Sequence, residues 1–300
     1  FPTRRSSDLI QHFEDPPIKY YKNSEQIVAK NLQKNRINYE QIEILDYDIK
    51  PNIILIILES HAGDRCNFLN PNLQDKITPN LDKIAKKSIN FKNCYANGPR
   101  TAHGLSSILC SWPTIPGYPL IRQSQYKIKG RSTLASIFKD IGYETGFLYG
   151  GNSEFDEMKN FAVINSFDKI YDHKEDDYLS KFKLDNKHGG NNPWGLFDEF
   201  LFNRCLNIMN ERNNNKPIML TLLTTTNHAP WVIPEKHVDK IPEFNSDFKG
   251  PFLESRKTMR YVDFALGDFI EKAKKQTDWF ENTIFIITAD HGLNIFKEKM

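Results

Sequence analysis

Two short apolar runs, each followed directly by side chains that can bind a metal ion, constrain this chain more than any other feature. Residues 51–58 precede Glu59, and residues 283–289 precede Asp290 and His291. Their length and branched aliphatic content are typical of strands buried on both faces of a parallel sheet. Ligands of open α/β sheets bind at the carboxyl ends of such strands. If the two strands are neighbours, three side chains that are distant in sequence converge on one cation.

Helical and strand patterns alternate along the rest of the chain. Helices are predicted at 132–141, 196–209 and 256–275, and strands at 143–149 and 217–226, with a further short strand at 89–95. This alternation predicts an α/β fold with a mostly parallel central sheet and helices on both faces.

Charge and hydropathy argue against a nucleic-acid partner and against a transmembrane helix within this stretch of chain. Forty basic and 38 acidic side chains leave a net charge of +2, so nucleic acid is not expected as a partner. We find no apolar run of 18 or more residues, so the sequence predicts no transmembrane helix.

The N-terminal segment is expected to lie outside the predicted domain, and the domain is expected to be incomplete at the C-terminal end. Residues 1–9 match what a sequencing-adapter oligonucleotide encodes and are excluded from fold reasoning. Residues 10–50 are polar and are expected to form a linker or lead-in segment. The catalytic domain is expected over 51–300 and to be incomplete at its C-terminus, because no helix follows the last strand to cover it.

Several residues could perform chemistry, and each has an ordinary alternative. Glu59 is either a solvated carboxylate or a ligand. The Asp290–His291 pair is costly at the exit of a buried strand unless it is paired or ligated, which favours a metal or catalytic role. Thr101 precedes a predicted helix at 102–110, where it is either an N-cap or a hydroxyl placed where a helix N-terminus favours anions.

Further motifs accompany these residues in a fixed order. They are Glu59, Gly98-Pro99-Arg100-Thr101, Tyr149-Gly150-Gly151-Asn152 with Phe155-Asp156 and Met158, Trp194-Gly195 with Asp198, Thr226-Asn227-His228-Ala229-Pro230-Trp231, and Asp290-His291-Gly292. This order resembles the lipoteichoic acid synthase-like, phosphoglycerol transferase branch of the sulfatase and alkaline phosphatase superfamily. The resemblance covers residue 51 to the end and implies an alkaline phosphatase-like fold.

The resemblance implies that Glu59, Thr101, Asp290 and His291 hold one divalent cation, Mn²⁺ or Mg²⁺. Oxygen ligands with one imidazole suit these cations. It also implies that Thr101 is the nucleophile, activated by the metal to attack a phosphodiester. A phosphothreonine would form and be resolved by an acceptor hydroxyl or by water.

The resemblance also implies the residues that contact substrate. His228 contacts the phosphate or protonates the leaving group, the alternative being a surface-loop histidine. Arg100 binds phosphate oxygens or is a surface charge. Asn152 and Asp156 belong to the substrate pocket. Gram-positive members carry a tryptophan and an arginine near Asp156 and Met158, so this departure leaves the substrate open.

Two residues of the motifs are interpreted as structural. Trp194 is expected in the core and Asp198 in the first turn of a helix. The four cysteines, at 66, 94, 110 and 205, match no zinc motif and are either buried thiols or disulfide partners.

The function implied is transfer of a phosphoglycerol-type group from a phosphatidylglycerol-like membrane lipid to an envelope glycan or glycolipid. The location implied is the outer face of the bacterial cytoplasmic membrane, with an anchor outside this fragment. A sulfatase is disfavoured, because Ser111-Trp112-Pro113-Thr114-Ile115 lacks the arginine of the C/S-x-P-x-R motif. A phosphodiesterase or phosphatase, or a non-catalytic binder of glycans or lipid headgroups, stays open.

Overall fold

The structure is a computed structural model that describes residues 50–112, 119–123, 132–173, 191–212, 216–244 and 249–293. The chain divides into a unit at Phe1–Lys50 and a unit at Pro51–Met300. The predictions for residues 1–9 and 10–49 lie outside the described residues.

Seven strands and seven α-helices are described in this unit. The strands are β1 (Asn52–Leu58), β2 (Glu144–Tyr149), β3 (Lys169–Tyr171), β4 (Asn191–Asn192), β5 (Gly195–Leu196), β6 (Ile218–Leu223) and β7 (Thr283–Ala289). The helices are α1 (Pro79–Ala85), α2 (Thr101–Cys110), α3 (Leu134–Asp140), α4 (Met158–Ile164), α5 (Asp198–Asn210), α6 (Glu235–Val238) and α7 (Pro251–Ala273). Short 3₁₀ turns occur at Gly63–Arg65, Leu120–Arg122 and Phe155–Glu157.

Five of the strands form one parallel sheet in the order β3-β2-β6-β1-β7. The two apolar runs at β1 and β7 are therefore neighbours, with Leu58 opposite Ala289. This register brings Glu59 and Asp290, the next residues of the two strands, to the same level. The fold class predicted from the sequence is confirmed.

Helices cover both faces of the sheet. Alternate residues of β1 point to opposite faces and so contribute to two separate cores. Ile54 and Ile56 belong to a core that includes Phe202 of α5 and Phe269 of α7. The opposite face packs in a second core, whose members from β1 and from helices α2 to α4 include Ile53, Leu55, Ile57, Leu105, Ala135 and Phe161. β1 is thus buried on both sides, which explains why its sequence is continuously apolar.

Some boundaries differ from the prediction. α7 begins at Pro251, since proline is favoured in the first turn of a helix. α5 begins at Asp198 because the two residues of β5 precede it. The strand expected at 89–95 is not formed: no described strand pairs with it, and Ile89, Phe91 and Tyr95 are exposed.

Two further findings concern the whole unit. All four cysteines are free thiols, so the disulfide alternative does not hold in this structure. Within the described ranges, no helix combines the length and the apolar character that a membrane crossing requires.

Candidate active site and metal centre

Glu59, Asp290 and His291 meet at the carboxyl edge of the sheet, where β1 and β7 end. One ligand atom of each lies within 4.8 Å of the others. All three residues are buried. Because the two strands are paired in register, the proximity follows from the sheet itself.

The two carboxylate oxygens of Asp290 have different surroundings. Oδ1 accepts hydrogen bonds from the backbone N–H groups of Ser60, at 2.8 Å, and His291, at 2.7 Å. Oδ2 is buried and has no hydrogen-bond partner among the described residues. A buried carboxylate oxygen without a donor is costly. The backbone thus fixes the carboxylate and leaves one oxygen for a cation.

His291 is oriented in the same way. Its Nδ1 lies 2.6 Å from the carbonyl oxygen of Gly292, and since a carbonyl cannot donate, the ring nitrogen carries the hydrogen. Nε2 then faces the carboxylates, 3.5 Å from Glu59 Oε1 and 3.6 Å from Asp290 Oδ2. A histidine ligand typically donates its other N–H to a carbonyl in this way.

The electrostatics indicate an excess of negative charge. Burial and the charge of Glu59 raise the pKa of Asp290 well above its usual range. Burial opposes the charged form of His291, but Glu59 and Asp290 outweigh it and raise its pKa to about 9. Burial likewise opposes ionisation of Glu59, yet the neighbouring side chains of His291 and Asp290 hold its pKa below normal. A divalent cation would replace the protons that this cluster otherwise retains.

Thr101 adds a hydroxyl to the cluster. It is the first residue of α2, and its Oγ1 donates to Glu59 Oε2 at 3.1 Å. Arg100, not Thr101, occupies the N-cap position, so the N-cap alternative does not hold. Two carboxylates, one imidazole and one hydroxyl are a donor set that fits Mn²⁺ or Mg²⁺.

Gly104 allows α2 to approach this closely. A Cβ atom at Gly104 would lie 2.3 Å from the carbonyl oxygen of Asp290. No side chain fits there, so the glycine lets the helix place Thr101 against the ends of β1 and β7.

The loop after β6 is held from two sides. Asp198, at the start of α5, accepts through Oδ1 from the backbone N–H groups of Thr225, at 3.2 Å, and Thr226, at 3.1 Å. Asn227 donates to the carbonyl of Ser60 at 2.8 Å, beside Glu59. Asp198 lies in the first turn of its helix, as expected. Asn227 belongs to one of the motifs found in the sequence, but no sequence pattern predicts its hydrogen bond to Ser60.

His228 follows directly in this loop. Its Nδ1 lies 2.9 Å from the carbonyl oxygen of Ala229. The indole of Trp194 donates to the same oxygen at 2.6 Å, and its ring centroid is 3.9 Å from that of His228. The expectation that Trp194 lies in the core is wrong: it is partly exposed and packs against the histidine ring at an inclined angle.

The remaining predicted residues are Asp156, Asn152 and Arg100. Asp156 forms an ion pair with Arg122 at 3.1 Å, while burial raises its pKa against the opposing charges of Arg122 and Arg100. Asn152 accepts from the backbone of Glu154 at 3.1 Å, and Arg100 is exposed. Arg122 was not predicted, because its partner lies on a distant turn and no sequence spacing links them.

Comparison with known proteins assigns the class and then the family. A protein in the alkaline phosphatase superfamily from Vibrio parahaemolyticus matches 84% of this chain and 57% of its own, with a TM-score of 0.70 and 31% identity. The lipoteichoic acid synthase LtaP from Listeria monocytogenes shares the fold at a TM-score of 0.68 and 24% identity, over 82% of this chain and 57% of its own. The fold is therefore that of the alkaline phosphatase superfamily.

A family model gives a narrower assignment than the superfamily. The sulfatase family model matches residues 51–299, and the chain belongs to this family of enzymes. Phosphoglycerol transferase I from Escherichia fergusonii is 24% identical over 248 residues, which cover 80% of this chain and 31% of that protein. The chain thus spans about a third of the length of that curated relative. The resemblance inferred from the motifs is confirmed.

Proposed function

We propose that this chain transfers a phosphoglycerol-type group from a membrane lipid such as phosphatidylglycerol to an envelope glycan or glycolipid, outside the cytoplasmic membrane. The observation that carries the proposal is the Thr101 hydroxyl, 3.1 Å from Glu59 and within the same cluster as the unpartnered Asp290 oxygen. The similarity to phosphoglycerol transferase I supports the choice of group.

The metal would be held by Glu59, Thr101, Asp290 and His291. A bound divalent cation lowers the pKa of a coordinated hydroxyl and stabilises charge on a phosphoryl oxygen. Mn²⁺ and Mg²⁺ fit the oxygen-rich donor set. A catalytically inactive relative that only binds glycans or lipid headgroups has less support, because such a protein has no need of these four ligand side chains.

The first half of the reaction forms a covalent bond to the protein. Thr101 Oγ1 gives up its proton, for which Glu59 Oε2 is the acceptor already in place, and attacks the phosphorus. A new Oγ1–P bond forms while the bond from phosphorus to the lipid alcohol breaks. The leaving oxygen takes a proton from Nε2 of His228 in its doubly protonated form, because Nδ1 faces the Ala229 carbonyl; the neutral ring that remains carries its hydrogen on Nδ1.

The second half reverses the roles. A hydroxyl of the acceptor gives its proton to His228 Nε2 and attacks phosphorus, and the Oγ1–P bond breaks. Oγ1 takes back the proton held by Glu59, which regenerates Thr101. Water in place of the acceptor would give hydrolysis by the same steps.

The charges around the cluster suit an anionic phosphodiester with a polar headgroup. Arg100 lies next to Thr101 and can bind a phosphate oxygen. The Arg122–Asp156 pair offers a donor and an acceptor side by side, which suits the hydroxyls of a polyol. Asn152 lies on the segment after β2 that also carries Asp156.

The position of Cys110 and Ser111 gives no support to sulfate-ester hydrolysis by a modified residue. They lie at the opposite end of α2 from Thr101, and Cys110 is buried. A ten-residue helix separates its ends by about 15 Å. Neither residue therefore reaches the cluster around Glu59.

The experiment is an intact-mass measurement on manganese-loaded protein after brief incubation with phosphatidylglycerol. We expect the wild type to gain one phosphoglycerol group and Thr101→Ala to gain none while still binding metal. Asp290→Asn is the matched control, since it keeps the shape of the side chain and should lose the metal as well as the adduct. An adduct on Thr101→Ala would contradict the nucleophile, and metal-loaded wild type without adduct or turnover of any phosphodiester would contradict the function.

A further inference from the structure

The side chain of Trp194 makes three contacts around His228 that the reaction scheme above does not use. Its ring lies over the histidine ring, with centroids 3.9 Å apart and planes inclined by 49°. Its Nε1 donates to the carbonyl oxygen of Ala229 at 2.6 Å. Phe155 packs edge-on against the outer side of the indole, with centroids 5.7 Å apart.

The Ala229 carbonyl is shared between two donors. A carbonyl oxygen has two lone pairs and can accept from both Trp194 Nε1 and His228 Nδ1. Because the oxygen cannot donate, His228 must carry its hydrogen on Nδ1. The indole thus holds in place the very acceptor that fixes the tautomer of the histidine.

Trp194 is itself rigidly held by its own backbone. Its N–H donates to Asn192 Oδ1 at 2.8 Å, and Asn192 donates to Thr225 Oγ1 at 3.0 Å in the loop that carries His228. The next residue, Gly195, has φ +148°, and a Cβ there would lie 2.0 Å from the Gly150 carbonyl oxygen. The indole is therefore placed by the end of β2 as well as by the loop after β6.

We infer that Trp194 is a positioning residue for His228. It fixes the ring plane by packing against it and the Nδ1–H tautomer by anchoring the Ala229 carbonyl, so that Nε2 faces the substrate. Trp194 does not touch the reacting atoms. The inference rests on the role proposed above for His228 as proton donor and acceptor.

The test is a double-mutant cycle with Trp194→Phe, which retains an aromatic ring to pack against His228 but loses the N–H donor. In the wild-type background we expect kcat to fall about tenfold with KM changed about twofold or less, because a misoriented proton donor affects the chemical step. In a His228→Ala background the same substitution should change kcat about twofold or less. Equal losses in both backgrounds would overturn the inference, as would full activity of Trp194→Phe.

Trp279→Phe is the matched control. This substitution also removes an indole N–H donor, which bonds Asn210 Oδ1 at 2.7 Å. Trp279, however, precedes β7 and so lies at the amino end of that strand, away from the carboxyl edge that carries the site. The substitution should lower stability without the loss of kcat. A loss of kcat equal to that of Trp194→Phe would mean that the effect is general destabilisation.

A second measurement separates this inference from the proposed function. Long-range ¹H–¹⁵N NMR of the histidine rings, with His228→Ala for assignment, should report the Nδ1–H tautomer in the wild type and a mixture in Trp194→Phe. That result would support the inference even in a protein that transfers no phosphoglycerol. An Nε2–H tautomer in the wild type, or no change in Trp194→Phe, would overturn it.

Discussion

At the scale of single residues, the candidate metal centre is defined by which atoms the backbone leaves unpaired. The backbone N–H groups of Ser60 and His291 occupy one oxygen of Asp290, and the Gly292 carbonyl occupies one nitrogen of His291. The other oxygen and the other nitrogen face each other at 3.6 Å. Orientation of this kind reduces the entropy lost when a ligand binds.

The raised pKa values predict how metal binding depends on pH. A cation must displace the proton of His291, whose pKa is about 9 in the metal-free protein, and that of Asp290. Affinity for Mn²⁺ should therefore rise between pH 6 and pH 8, by about tenfold per pH unit for each proton displaced. Titration followed by the electron paramagnetic resonance of free Mn²⁺ measures this, and equal affinity at both pH values would contradict it.

The same groups predict the stability of the metal-free protein. The folded-state pKa of His291 is raised from 6.5 to about 9, so its contribution is complete below pH 6.5 and is lost as the pH rises through 9. The raised pKa of Asp290 acts in the same direction. In chelator-treated protein the melting temperature should fall across this window, and the gap to metal-loaded protein should widen. His291→Gln, which cannot titrate, should show a smaller fall.

At the scale of elements, α2 and the edge of the sheet form the site only through close contact. Thr101 belongs to the helix, whereas Glu59 and Asp290 follow the strands. Their meeting depends on the approach of α2 at Gly104, where a Cβ would lie 2.3 Å from a backbone oxygen. Backbone cannot move aside as a flexible side chain can.

Gly104→Ala should therefore separate the helix from the strands. We expect the free energy of unfolding to fall by about 1–3 kcal/mol from overpacking. Turnover should fall further than stability alone explains, because Thr101 moves away from Glu59. Denaturant unfolding and kcat measure the two effects. Gly63→Ala is the control, since its Cβ would meet only the end of the Leu69 side chain, at 3.3 Å, and an equal loss there would contradict the argument.

At the scale of the whole molecule, the described sheet is covered unevenly at β7. Phe285 and Ile287 pack against the core formed with α5 and α7. Ile284 and Ile286 point to the other face and are 40% and 43% exposed. Exposed aliphatic side chains on an edge strand favour association between chains.

Replacing both exposed residues with threonine should reduce self-association. Thr is β-branched and suits a strand, so Ile284→Thr with Ile286→Thr should keep the fold while removing apolar surface. Sedimentation velocity should show a larger monomer fraction, with metal affinity unchanged. Ile287→Thr, on the packed face, should instead lower the free energy of unfolding by about 1 kcal/mol. A monomer fraction that does not change in the double variant would contradict this prediction.

Much of this architecture could be predicted from the sequence because it depends on local pattern. The apolar runs at β1 and β7 are long enough and uniform enough to define parallel strands; β1 is buried on both faces as predicted, whereas the prediction is wrong for β7, one face of which is exposed. The polar residue that follows each run then had to lie at the carboxyl edge of the sheet. Glu59, Asp290 and His291 were predicted together for this reason, and the structure brings them together.

Contacts between distant segments were decided only by the tertiary structure. The Arg122–Asp156 pair and the ring contact of Trp194 with His228 join residues that share no spacing or periodicity. The segment at 89–95 has the alternation of a strand, but it forms none because no described neighbour pairs with it. Strand periodicity is local and is encoded in the sequence, whereas the partner that a side chain or strand meets depends on how the elements pack.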